Sequence, residues 1–274
     1  MKKSNKLIIA FLALLYVVPI SAMVFDLKNY EKGSYDQQES AILKFNDKLE
    51  GFEEEKFNQP IKAILIEGNK NLYVTVNFHK DEQSGIKFNT SIKDQIKTSI
   101  DADGNLKISK TSTSDRNNYL TLHVYGNALD LINFKNGDGL NLVGNYDSIV
   151  VNIDQIRKFE ANSTSTFSSL SINAQNVSTV SIYSKTKDVN IGLNSGKIYW
   201  YSDAPENLKL NLEKTEVEFL HENTDKKESN SLHLVTKGQN LIDFNKNKFK
   251  SVSGDVSDST TLLMPVVYLK NLIK

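Results

Sequence analysis

Acid–base or metal chemistry in this chain would have to begin with its four histidines, His79, His123, His221 and His233. No two lie three to five residues apart, so the paired-imidazole spacing of a zinc site is absent. His123 and His233 fall inside short alternating stretches and could meet another histidine only through the fold. Each reads as an isolated structural or surface residue. DADGN, Asp101–Asn105, opens like a calcium loop, but the sixth position is Leu106 instead of glycine and the twelfth is Ser112 instead of glutamate. A tight turn is the better reading. Carboxylates for glycan cleavage work in close pairs. Here Asp147, Asp154, Glu160 and Asp188 are scattered, and the arginines are Arg116 and Arg157 alone. With no cysteine there is no thiolate nucleophile, disulfide framework or cysteine-ligated metal. No phosphate loop, dinucleotide fingerprint, GxSxG elbow or HExxH occurs. The expectation is a protein that is not an enzyme, with no catalytic residues, metal or cofactor.

The chemistry that remains is recognition. In VSIYSKTKDVNIGLNSGKIYW, Val180–Trp200, strand alternation would turn Trp200 toward a core and Tyr199 and Tyr201 outward. Tyr199, Tyr201 and Tyr183 are the candidate binding residues, while Trp200 reads as packing in preference to a sugar-stacking platform.

The elements that carry these residues repeat. Apolar pairs recur at Leu140/Leu142, Ile149/Val151, Leu170/Ile172, Val180/Ile182, Val189/Ile191, Ile198/Trp200, Leu208/Leu210, Val217/Phe219 and Leu232/Leu234, then Leu241 with Phe244. Steps between them are nine or ten residues, apart from one of 21 and one of 15, the latter holding the polar insertion HENTDKKESN. Short strands at a near-constant interval, joined by Ser, Asn, Thr, Asp and Gly, favour a solenoid over a sandwich or barrel. One coil cannot bury its inward Val, Ile and Leu; a stack can, at ~1.5–3 kcal/mol per side chain. Upstream, IKAILIEG, NLYVTVNF, IKFNTSI, NLKISKT and YLTLHVYG read as half-buried strands of a meander or of the first coils, with chain reversals at DADGN and NGDG (Asn136–Gly139). TTLLMPVVYLKNLIK reads as a last coil or cap.

Lys2, Lys3 and Lys6 precede an uncharged run, Leu7–Phe25. As a helix it would be about 28 Å long, matching a ~30 Å hydrocarbon core. Both an uncleaved signal anchor and a signal peptide cut after Ala22 fit, although Ile20 is bulky for the latter. Either way the rest of the chain is expected outside the cytoplasm. Residues 26–59 form a polar connector, part helical through Ile42, Phe45, Leu49 and Phe52, with Glu53–Glu55 as a solvated run. Residues 60–274 form the β domain. Thirty-three basic and 33 acidic residues give zero net charge, so no global field draws in nucleic acid.

The order of blocks IKAILIEGNKNLYVTVNF, DADGNLKIS and YLTLHVYGNALDLINFKNGDGLNL, followed by the serial β pattern, resembles the auto-transporter adhesin head GIN domain family of exported proteins, often from Bacteroidota. The likeness covers Ile61 to about Phe249 and departs at Asn136-Gly137-Asp138-Gly139, where a smaller residue is expected first. It implies a right-handed parallel β-solenoid outside the cytoplasm and carries no functional residues. Two functions follow: an adhesin-like module binding a glycan or an envelope protein, anchored to the membrane through residues 7–25, or a periplasmic structural or regulatory scaffold.

Overall fold

Side chains of a strand point alternately to opposite faces, and the burial along the chain follows that rule. Between Asn207 and Phe219, residues Leu208, Leu210, Leu212, Val217 and Phe219 are buried and their neighbours face outward. The computed structural model describes residues 44–111, 118–220, 228–244, 247–270 and 272. The membrane-anchor expectation for residues 7–25, His221 and Arg116 lie outside the described residues. Among the described residues no helix is long and apolar enough to cross a membrane.

The strands are β1 (Phe52–Phe57), β2 (Ala63–Glu67), β3 (Tyr73–Lys80), β4 (Ser84–Asn89), β5 (Ile96–Ile100), β6 (Asn105–Lys110) and β7 (Tyr119–Gly126). Long, bent strands follow: β8 (Leu131–Ala161), β9 (Thr166–Ile182), β10 (Lys185–Trp200) and β11 (Asn207–Phe219). The last are β12 (Ser229–Lys237), β13 (Asn240–Asp243), β14 (Phe249–Asp255) and β15 (Thr260–Leu263), before a single helical turn α1 (Val266–Leu269). From β8 onward every pairing between these strands is parallel: Ile149, Leu170, Val189, Leu208 and Leu232 stand side by side on successive coils. This is a parallel β-solenoid of about five turns.

The N-terminal half is stacked out of chain order. β2 lies between β6 and β8, and β3 between β7 and β8, so the first coil in sequence is second in the stack. β4, β1 and β5 then add antiparallel strands over the end coil, which covers an edge that would otherwise template association. Both sequence readings of this stretch are therefore realised, coil and meander together.

Three expectations are corrected. The connector is not helical over its described part: residues 44–51 form turns, Phe52–Phe57 is strand β1, and Phe45 packs edge-on against Tyr125 at 5.4 Å. Glu53–Glu55 is not a freely solvated run, because Glu53 pairs with Lys93 (2.9 Å), Glu54 with Lys87 (3.5 Å) and Glu55 accepts from Thr98 (2.8 Å). NGDG is not a chain reversal but a corner inside β8, where Gly137 and Gly139 leave space for the rings of Phe134 and Tyr73. DADGN is the turn expected: the Asp101 carboxylate accepts from the backbone N–H and side-chain amide of Asn105, pairs with Lys107 and accepts from the Asp103 N–H, which together hold its pKa down to about 2.

Trp200 is fully buried and begins an aromatic column through Phe219, Phe244 and Phe249, with centroids 5.3–5.5 Å apart. Phe249 donates its backbone N–H to the Tyr268 hydroxyl (3.1 Å), and buried Leu272 completes the C-terminal cover. The coils turn at a column of left-handed residues: Asn136, Gln155, Asn176, Ser195 and Lys214, with φ between 53° and 67°. That conformation costs a branched residue most. Gln155→Val is expected to lower stability by about 1–2 kcal/mol, read as a shift in urea midpoint, while Gln155→Gly leaves stability equal or higher.

Candidate functional site: an amide-lined groove

The outward residues of the coil strands line an open groove of about 720 Å³, within the usual ~300–1,000 Å³ of ligand sites. One outward position carries Asn133, Asn152, Asn173, Gly192 and Asn211 on successive coils. Parallel registry makes them a ladder. Asn152 Nδ2 donates to Asn133 Oδ1 (2.7 Å), and Asn173 Nδ2 donates to Asn152 Oδ1 (2.8 Å). Gly192 breaks it, and Asn211 reaches diagonally to Asn190 Oδ1 (3.5 Å). A Cβ placed on Gly192 would meet nothing closer than Asn173 Oδ1 at 3.6 Å, so the missing side chain is an open notch. Two residues further along each strand stand Asp154, Gln175, Asn194, Glu213 and Lys237. A smaller stretch of about 530 Å³ shares Asn133 and Lys135 and continues over β2, β5 and β6.

The three tyrosines singled out in the sequence come together. Tyr183 and Tyr201 stack at 4.4 Å with planes 9° apart, and Tyr199 lies 6.3 Å from Tyr201. Tyr201 is 39% exposed, and partial burial with the adjacent Tyr183 raises its pKa. None of the three lines the groove. Trp200 faces inward and donates Nε1–H to the Asp203 carbonyl (3.0 Å).

Two histidines that looked isolated in sequence meet across β3 and β7. His79 Nε2 and His123 Nδ1 are 2.9 Å apart, with the rings stacked at 5.1 Å. Tyr125 stacks on His79 at 4.8 Å and Phe52 meets His123 edge-on at 5.1 Å. Lys87, 1% exposed, lies beside Phe45 and Tyr125 and donates to the Asp47 carbonyl, so the segment 44–57 closes over this pair. His233 instead meets Ser253 Oγ (3.1 Å). No group of three or more His, Cys, Asp or Glu among the described residues is arranged to hold a metal ion.

No protein-family model matches the chain, and no curated protein matches it. Solved structures do. A candidate lipid-binding protein from Parabacteroides distasonis has a TM-score of 0.50 at 12% identity, covering 81% of this chain and 96% of that one. A candidate adhesin from Parabacteroides merdae has a TM-score of 0.48 at 12% identity, with 81% and 98% covered. At such identity the likeness is one of fold.

Burial pushes both imidazoles below the ordinary 6.5, His123 to about 4 with the His79 and Lys87 charges adding to it; Asp81 opposes the shift at His79. The folded chain thus binds these protons less well than the unfolded chain. Stability is full above about pH 6.5 and falls as pH drops toward 4, by on the order of 3 kcal/mol for His123. His123→Gln, which cannot protonate, is expected to flatten the urea-midpoint profile across that window.

Proposed function

We propose that this chain is a non-enzymatic, adhesin-like binding module of the GIN type, exported and held at the membrane through residues 7–25, with its ligand in the amide-lined groove. The groove is the observation that carries the reading: it is long, open, polar and mounted on paired strands that cannot move independently. Its carboxylates support binding without cleavage. Asp154 and Glu213 stand three rungs apart along the register, about 14 Å at ~4.8 Å per rung. Glycan-cleaving pairs sit within ~5–9.5 Å. The likeness to GIN proteins in the order of blocks supports export and a right-handed winding, which parallel crossovers adopt almost without exception.

Gly192→Trp tests the site, since its side chain would fill the notch without moving backbone. On mixed arrays of surface glycans and envelope proteins, the native chain is expected to retain ligands that Gly192→Trp loses by at least tenfold, at unchanged melting temperature. Binding indifferent to Gly192→Trp removes the groove as the site. Binding lost in Tyr199→Ala and Tyr201→Ala instead would move it to the tyrosine cluster.

A further inference from the structure

The groove runs across the strands. Its lining comes from two neighbouring outward positions on successive coils, and the strands beneath it are already paired on both sides. No backbone edge is left there for an extended peptide to join. A ligand filling the groove therefore lies parallel to the solenoid axis and meets a new rung every ~4.8 Å. An extended peptide advances only ~3.3 Å per residue and slips out of step with such a ladder. A chain of hexose rings in β-1,4 linkage advances close to one rung per ring, with successive rings turned over, so that alternate rings present the same edge to alternate rungs.

The amide rungs also offer what a sugar requires. An amide carries two N–H donors and two acceptor lone pairs. At Asn152 the ladder uses one N–H, donated to Asn133, and one Oδ1 lone pair, which accepts from the Asn173 amide. One donor and one acceptor remain, the complement of a pair of neighbouring hydroxyls. Behind them the inward side chains of Ile153, Ala174, Leu193 and Leu212 are buried in the core, so a ligand meets the outward amide and charged side chains. Charge along the next outward position carries both signs, Lys135 and Lys237 with Asp154 and Glu213. In the adjoining stretch Lys107 is paired with Asp101, and Lys97 shares the wall with Glu67. Nothing in this pattern selects a polyanion.

Resting on the groove-binding reading above, we infer that the ligand is a neutral, unbranched, β-1,4-linked hexose polymer lying along the solenoid axis, with one ring seated in the Gly192 notch. The ladder sets its direction and the notch sets its register.

The test is calorimetric titration of the full chain in detergent with cellobiose through cellohexaose. Maltohexaose, an oligogalacturonate and an extended peptide serve as the competing chemistries. Affinity is expected to rise at least tenfold from cellobiose to cellohexaose and to be at least tenfold weaker for maltohexaose. Asn152→Ala with Asn173→Ala removes two rungs and is expected to weaken cellohexaose about five- to thirtyfold. Gly192→Asn, which fills the notch with a ladder residue, keeps the test open should the double variant melt early; it too should weaken cellohexaose. Equal affinity for maltohexaose, no dependence on length, or preference for the oligogalacturonate or peptide overturns the inference. If one of those competing ligands binds and is lost in Gly192→Trp, the groove reading stands and only the sugar assignment falls. If no probe or array ligand is sensitive to Gly192→Trp, both fall.

Discussion

Parallel, in-register backbone pairing between equivalent coils is the constraint on which everything else in this molecule rests. Once Ile149, Leu170, Val189, Leu208 and Leu232 are aligned, every other position on the coil is aligned as well. Inward positions become columns of aliphatic and aromatic side chains that exclude water. Outward positions become rows of like residues at a fixed spacing. The amide ladder and the groove are by-products of the same registry that builds the core. A one-residue slip would turn Asn152 and Asn173 inward and destroy both at once.

The ends of the stack show how much the registry needs protection. A coil with an unpaired face would invite another chain. At the N-terminal end the protein folds β4, β1 and β5 back in antiparallel fashion, with Lys87 enclosed between Phe45 and Tyr125 beneath residues 44–57. At the C-terminal end Tyr268 covers Phe249, and Leu272 is buried. The half-buried histidine pair lies on β3 and β7 beneath the first of these covers, so proton uptake there acts on the end of the solenoid and not on the groove.

Much of the architecture was legible in the sequence, for local reasons. Alternation places Val189, Ile191, Ile198 and Trp200 in the core and leaves Tyr199 and Tyr201 outside, because a strand offers only two faces. The near-constant step betrays a repeat because each coil must bury its own share of the column. What was missed depends on contacts remote in sequence. β2 sits beside β8 through Ala63 and Leu131, and no local pattern announces that pairing. His79 and His123 are 44 residues apart and meet only because β3 and β7 are neighbours. Glu53–Glu55 looked solvated because its partners, Lys93, Lys87 and Thr98, lie on segments that reach it only in the folded cap. The ladder did leave a trace: Asn133, Asn152, Asn173, Gly192 and Asn211 recur at intervals of 19 to 21 residues. Asparagine also marks turns, and against so many turn asparagines the interval alone did not stand out.

The stack itself is open to direct measurement, because the chain contains no cysteine to remove. Spin labels on cysteines replacing Asp154 and Lys237 would sit at the two ends of four successive register steps. At ~4.8 Å per step the labelled positions lie about 19 Å apart along the axis. A narrow dipolar distance distribution near that value is the result expected of aligned coils. A broad distribution, or one centred well beyond about 30 Å, would mean that the coils do not stack in this register, and the ladder, the groove and the ligand reading would go with them.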